Sequence, residues 1–338
     1  MKFKSYTEKI VSVRNLNNRW QRGTTKKLQL ALEKSYKDLV DILKLSGKES
    51  VKYDFYNAKK KNIGKIIDSL NKTIETDIKK AIKIYSSDAS RVYRDTTKQY
   101  LKDAGVEISL KAYSTIPVEA LYNVINRTWG DNLKFSDRVW KNTRHAKNSI
   151  NLILSAGIAR GQSAGSMSKE LKRFLVDYKL KPGETWHDIK NSVTKRGSLN
   201  YNAKRLAITE INNSYRETQI LHSKKSPIVL GLKWNLASSH PIPDVCDVYA
   251  EQDLFGLGAG VYQGGAVPID HPRGFCFLTD VLRPPEDWKK PKEALKPRKL
   301  SDKEFNKVLE KKNITEGAVK ANLKAYKNSF EVVGREAK

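Results

Sequence analysis

Apolar positions recur along most of this chain at steps of three and four, the spacing of a helix with one buried face. In "NIGKIIDSLNKTIETDIKKAIKIY", Ile63, Ile67, Leu70, Ile74, Ile78 and Ile82 form such a stripe, with lysines, Asp68 and Glu75 on the remaining faces. The pattern predicts a helix of coiled-coil or bundle type. An earlier helix is expected over about Thr25 to Leu45, with Leu28, Leu30, Leu32, Tyr36, Leu39 and Ile42 as its apolar positions and Gly47 ending it.

Beyond about residue 110 the pattern breaks and resumes. Pro117 suits the first turn of a new helix, with Thr115 before it as a candidate cap. "FSDRVWKNTRHAKNSINLILSAGIARGQSAGSMSKELKRFLVDY" reads as two helices separated near Gly157 and Gly161, with Ser166 or Ser168 capping the second. A loop-rich insertion, "KLKPGETWHDIKNSVTKRGS", precedes a further helix that ends before Pro227. Then the texture changes. "IVLGLKWNLAS" has the composition of a short strand, and a segment containing both cysteines follows. "RPPEDWKKPKEALKPRK" reads as a linker or extended arm. Val319, Leu323, Tyr326 and Phe330 mark one face of a last helix.

The expected fold class is therefore mainly α: long N-terminal helices, a helical middle region, and a small α+β cysteine/histidine module near the C-terminus. Four segments follow: 1–112, helical and basic; 113–226, a helical core; 227–285, the small module; 286–338, a basic linker and helix. No fixed-period repeat is present.

Composition adds a partner class. The 338 residues carry 64 Lys+Arg against 37 Asp+Glu, a net charge of +27. A field of that sign favours polyanions, and unspecific contact with DNA is the expectation. Part of the excess is an ordinary solvated lysine coat. The lysine run Lys59, Lys60, Lys61 and the pair Lys289, Lys290 are the candidate contacts. Mean hydropathy is −0.61, and no apolar run of about 18 residues suggests a membrane span. The opening residues lack the apolar core of a secretory signal, which argues for synthesis in the cytosol.

Chemistry concentrates in "SSHPIPDVCDVYAEQDLFGLGAGVYQGG" and the "HPRGFC" that follows. The glycines lead into "AVPID" with no Gly-Lys-Ser/Thr ending, so they suit tight turns rather than a phosphate loop. His240, Cys246, His271 and Cys276 have the chemistry of a tetrahedral zinc site without zinc-finger spacing. Buried packing of Cys246, or a disulfide to Cys276, fits the same residues. Two enzymatic readings also use them: Cys246 as nucleophile with His240 or His271 as base and Asp244 or Asp247 as orienter, and a nuclease in which His271 activates water beside a metal on Asp247 or Asp253. Upstream, Arg205, Thr209, Glu210, Asn213 and Arg216 form a polar helical stripe, which reads as an exposed pattern or as a face turned towards the small module.

Taken in order, "FSDRVW", "GIARGQS…MSKELKRFL", "AKRLAITEIN" and "W…SSH…DVCD…D…GLGAGVY…P…HPRGFC" resemble the phage head-morphogenesis family, the minor head proteins of Mu F-like type. The resemblance runs over about residues 120–282. It implies a low-copy virion component, made in the host cytoplasm and placed at or near the portal. There it would act in head assembly or genome delivery, without enzymatic activity of its own. Its implied partners are the portal, the major capsid or scaffolding protein, and DNA, with no membrane. The family has cysteine pairs at both ends of the module. Here Tyr249 and Gly274 stand at two of those positions, so a structural zinc would need His240 and His271 in place of two thiolates. The enzymatic alternative is a metal-dependent nuclease or hydrolase on His240, Asp247 and His271. A DNA-binding protein unrelated to virions is a third reading.

Overall fold

The computed structural model describes residues 3–47, 50–128, 132–176, 199–237, 244–268, 270, 276–298, 307 and 310–311. The chain is mainly helical, with one small antiparallel sheet towards the C-terminal region. Both of the first helices outrun their apolar patterns: α1 spans Phe3–Lys44 and α2 spans Tyr53–Asp103.

Among the described residues of α1, Tyr6, Val13, Leu28, Leu32, Leu39 and Leu43 are buried, whereas Leu30 is exposed. Two positions turn a helix through about 200°, so Leu30 cannot share a face with Leu28 and Leu32. The helix stops where Gly47 takes φ +89°, a conformation that costs glycine nothing. In α2 all six residues from Ile63 to Ile82 in the expected stripe are buried, and Tyr85, Ala89, Tyr93 and Tyr100 continue it.

Helix α3 is Ile116–Asn126, with proline in its first turn as expected. Thr115 stands at its N-cap without a capping side-chain bond; its hydroxyl donates backwards to the Ala112 carbonyl (3.1 Å). Helices α4 (Phe135–Ala159) and α5 (Ala164–Leu175) match the expected pair. The cap of α5 is Ser163, whose hydroxyl accepts from the Ser166 amide (3.3 Å). Gly157 lies inside α4, and there a β-carbon would stand 2.6 Å from Met167. Its smallness seats α5 rather than breaking α4.

Helix α6 covers Leu199–Lys225 and ends before Pro227. The small module follows: β1 (Val229–Asn235), α7 (Val245–Glu251), β2 (Val261–Tyr262) and β3 (Phe277–Leu282). The strand order is β2-β1-β3, all antiparallel, with Leu232 opposite both Tyr262 and Asp280.

Two compact units emerge from the contacts: residues 1–19, 82–132 and 209–338 form one, and residues 20–81 and 133–208 the other. The module belongs to the first. Its core is Leu232, Trp234, Val245, Cys246, Tyr249, Leu254, Tyr262, Cys276 and Leu278. The proline- and lysine-rich stretch after β3 is extended but fastened to it. Trp288 is buried and donates its indole N–H to the Arg283 carbonyl (2.9 Å). Lys292 donates to the Val229 carbonyl (3.1 Å) and to that of Ser223, at the end of α6. The insertion over 179–198 and the face marked by Val319, Leu323, Tyr326 and Phe330 lie outside the described residues.

Candidate functional site

Helix α7 begins with a reciprocal cap. The Asp244 carboxylate accepts from the Cys246 amide (2.7 Å), and the Asp247 carboxylate accepts from the Asp244 amide (2.8 Å). Both acids of "DVCD" thus serve the helix start, satisfying amides that an α-helix leaves without partners. The cap points Cys246 into the module core, where it is fully buried.

Around Cys246 the strongest buried electrostatics of the module converge. Arg216 of α6 donates to Asp270 (2.6 Å) and to the Cys276 carbonyl, and its guanidinium lies over the Trp234 ring at 4.5 Å. The other Asp270 oxygen accepts from the Cys246 thiol at 3.5 Å. Both partners of the ion pair are about 95% or more buried, so neither is compensated by water. The two thiols are free and hydrogen-bonded to each other. That contact, burial and the Asp270 charge push the Cys246 thiol far above its ordinary range. A nucleophile needs a thiolate, and this environment keeps the proton on sulfur.

The glycine loop is held by Asp253, whose carboxylate accepts from the amides of Phe255 (3.3 Å), Leu257 (3.1 Å) and Gly258 (3.1 Å). Gly256, Gly258 and Gly260 all take positive φ. These are tight turns, as the sequence implied. Asp253 spends its lone pairs on the turn.

Of the four candidate zinc ligands, Cys246 and Cys276 come together, and His240 and His271 lie outside the described residues. Among the described residues no group of three or more His, Cys, Asp or Glu is placed to hold a metal ion. Two adjacent sulfur donors are half of a tetrahedral site. Lys59, Lys60 and Lys61 do not form one patch, because consecutive helical positions point about 100° apart; Lys59 is half-buried and 6.0 Å from the Phe55 ring. Lys289 is exposed, and Lys290 is paired with Asp287 (2.7 Å).

A second buried network has no counterpart in the sequence reading. His222 Nε2 lies 3.1 Å from the Thr97 hydroxyl, and its Nδ1 lies 4.0 Å from Asp280. Asp280 accepts from Tyr6 (2.7 Å) and from Gln219 (3.0 Å). Tyr93 stacks on the imidazole at 4.4 Å, and Tyr113 meets it edge-on. Hydroxyl, imidazole and carboxylate stand in the order of a nucleophilic triad. Thr97 and His222 are both 0% exposed, so no substrate meets the hydroxyl. Burial, then the Lys292 charge, pull His222 down to about 3, which makes it a poor base. The network ties α1, α2, α6 and β3 together. The residues are scattered from 6 to 280, and only the apolar context of "ETQILHS" hinted that His222 is internal.

The polar stripe of α6 is a buried face: Glu210, Asn213 and Arg216 are all buried, and Arg216 reaches the module. Glu217, one position on, accepts from Asn123 (2.7 Å) and Arg127, which fastens α3. No family model, curated protein or solved structure matches the chain.

Proposed function

We propose that this chain is a phage minor head protein, a low-copy structural component associated with the portal and with packaged DNA, acting in head assembly or genome delivery. The observation that carries this reading is the use the fold makes of its most reactive-looking residues. Asp244 and Asp247 cap a helix, Asp253 closes a turn, and Cys246 is a protonated, buried thiol within an Arg216–Asp270 clamp. A segment so employed suits a structural knot better than a nuclease or hydrolase centred on His240, Asp247 and His271. The ordered resemblance over residues 120–282, the helical build and the charge of +27 support the same assignment. Among the described residues no helix is long and apolar enough to cross a membrane.

On this reading Cys246 and Cys276, with His240 and His271, are the residues that would hold one structural zinc, whose binding would displace the proton that Cys246 otherwise keeps. Quantitative mass spectrometry of purified particles should find the chain at few copies per major capsid protein, cross-linked to the portal. Elemental analysis of the same chain should find one zinc. Absence from particles overturns the structural reading, and a metal-free chain leaves the thiol pair as a packing contact.

A further inference from the structure

Within the unit of residues 20–81 and 133–208, the outward face of α2 is segregated by charge. Positions 61, 65, 69, 72, 76 and 80 follow one another at steps of four, four, three, four and four, opposite the buried isoleucines. They are Lys61, Lys65, Ser69, Lys72, Thr76 and Lys80, all exposed and without a carboxylate among them. Three acids lie in this stretch: Asp68 and Glu75 border the line on one side, where Asp68 is 3.9 Å from Lys147 and Glu75 is bound to Lys79 (2.6 Å), and Asp77 lies beyond its other side. None of the four rail lysines is ion-paired among the described residues.

Helix α4 runs antiparallel beside this stretch, since Tyr56 meets Asn151, Asn71 meets Thr143, and Lys79 lies over the Phe135 ring. It adds exposed Lys141 and Arg144, while its single acid, Asp137, caps its own first turn. A solvated lysine coat would mix the two signs of charge around the helix; here the sector of about 100° that holds these six positions carries no acid over residues 61–80, although Asp68 borders it.

We propose that this face of α2, flanked by α4, is a phosphate-binding rail for duplex DNA. Lys61 to Lys80 spans 19 helical steps, about 28 Å, or about eight base pairs at 3.4 Å each. Lysines reach phosphates as point charges, and the Ser69 and Thr76 hydroxyls suit phosphate oxygens between them. Such contacts carry no base readout, as a protein beside packaged genome of any sequence requires. The inference rests on the reading of a DNA-associated head component and replaces the lysine run at 59–61 with a line in which only Lys61 takes part.

The test is fluorescence anisotropy on a labelled duplex of about 30 base pairs, from about 50 to 200 mM salt, with the full chain. The comparison is between wild type, Lys61→Gln/Lys65→Gln/Lys72→Gln/Lys80→Gln, and Lys289→Gln/Lys290→Gln. All three should share one thermal unfolding curve, because every substituted side chain is exposed. Four lost phosphate contacts flatten the slope of log K against log salt by about three to four, and the 289/290 variant keeps the wild-type slope. An unchanged slope in the quadruple variant overturns the rail while leaving DNA binding intact. Failure of wild type to bind duplex at the lowest salt removes the DNA reading itself. Preference for poly-glutamate over DNA, lost in the quadruple variant, would assign the rail to an acidic protein surface and overturn the DNA assignment.

Discussion

Arg216 is the residue on which the module closes. Its guanidinium meets Asp270, the Cys276 carbonyl and the Trp234 face, and so links α6 to β1 and to the C-terminal end of the cysteine segment. Two buried charges gain little over a well-packed apolar pair, but removing one strands the other at a cost of about 3–5 kcal/mol. Arg216→Met should therefore lower the stability of this unit by that amount in urea unfolding. Arg216→Met with Asp270→Leu should recover a large part of it, because the uncompensated carboxylate is gone. A single variant costing under about 1 kcal/mol would show that the pair does not close the module. Arg216 was visible in the sequence as part of a polar stripe. Its burial was not, because the partner lies 54 positions away and Asp270 is masked by the more conspicuous His271 beside it. Cys246 drew attention for its chemistry, and a helix cap turned it inwards.

Elements were most legible where a single periodicity ran unbroken. The isoleucine stripe of α2 marked its buried face correctly, because each residue repeats the same helical phase. In α1 the leucines at 28, 30 and 32 mixed two phases, and only packing decides which is inside. Helix ends were less legible: α1 and α2 run on through polar turns that tertiary contacts hold. The glycine loop was read correctly as turns, and its positions are not equivalent. Gly258, at φ +104°, has open space where a β-carbon would go, whereas at Gly260, φ +71°, the β-carbon would stand 2.7 Å from the Ala250 carbonyl. Gly258→Ala carries backbone strain alone, about 1–2 kcal/mol. Gly260→Ala adds a clash with backbone that cannot swing aside, so it should cost distinctly more, about 3 kcal/mol. Thermal unfolding of the two variants side by side checks this order; equal costs would mean that the loop moves to accept the methyl group.

At the scale of the molecule, the tyrosines and His222 set the pH range in which the unit of residues 1–19, 82–132 and 209–338 survives. Tyr6, Tyr85, Tyr93, Tyr113 and Tyr215 are buried there, and burial above all raises each phenol above 10, Tyr113 to about 12. A raised folded pKa means that the unfolded chain releases its proton first. The contribution is thus complete below pH 10 and lost as pH rises towards the folded values. Each phenol costs about 1.4 kcal/mol per pH unit in that window, so five together cost about 7. That rivals the whole stability of an ordinary domain, about 5–15 kcal/mol. On the acid side His222 works through the opposite shift. Its folded value of about 3 against 6.5 unfolded gives a contribution complete above pH 6.5 and lost as pH falls to about 3. Asp280, raised by burial, binds its proton earlier in the folded state and offsets part of that loss. The limits are therefore unequal: a gradual decline in acid and a steep collapse between pH 10 and 12. Circular dichroism followed with tyrosinate absorbance, in salt that screens the lysine charge, should show exposed phenols such as Tyr53 and Tyr122 ionising first, and the remaining rise in absorbance arriving together with helix loss. Ionisation of the full complement of tyrosines with the helices intact would mean that these five are open to solvent and the buried network does not hold the unit.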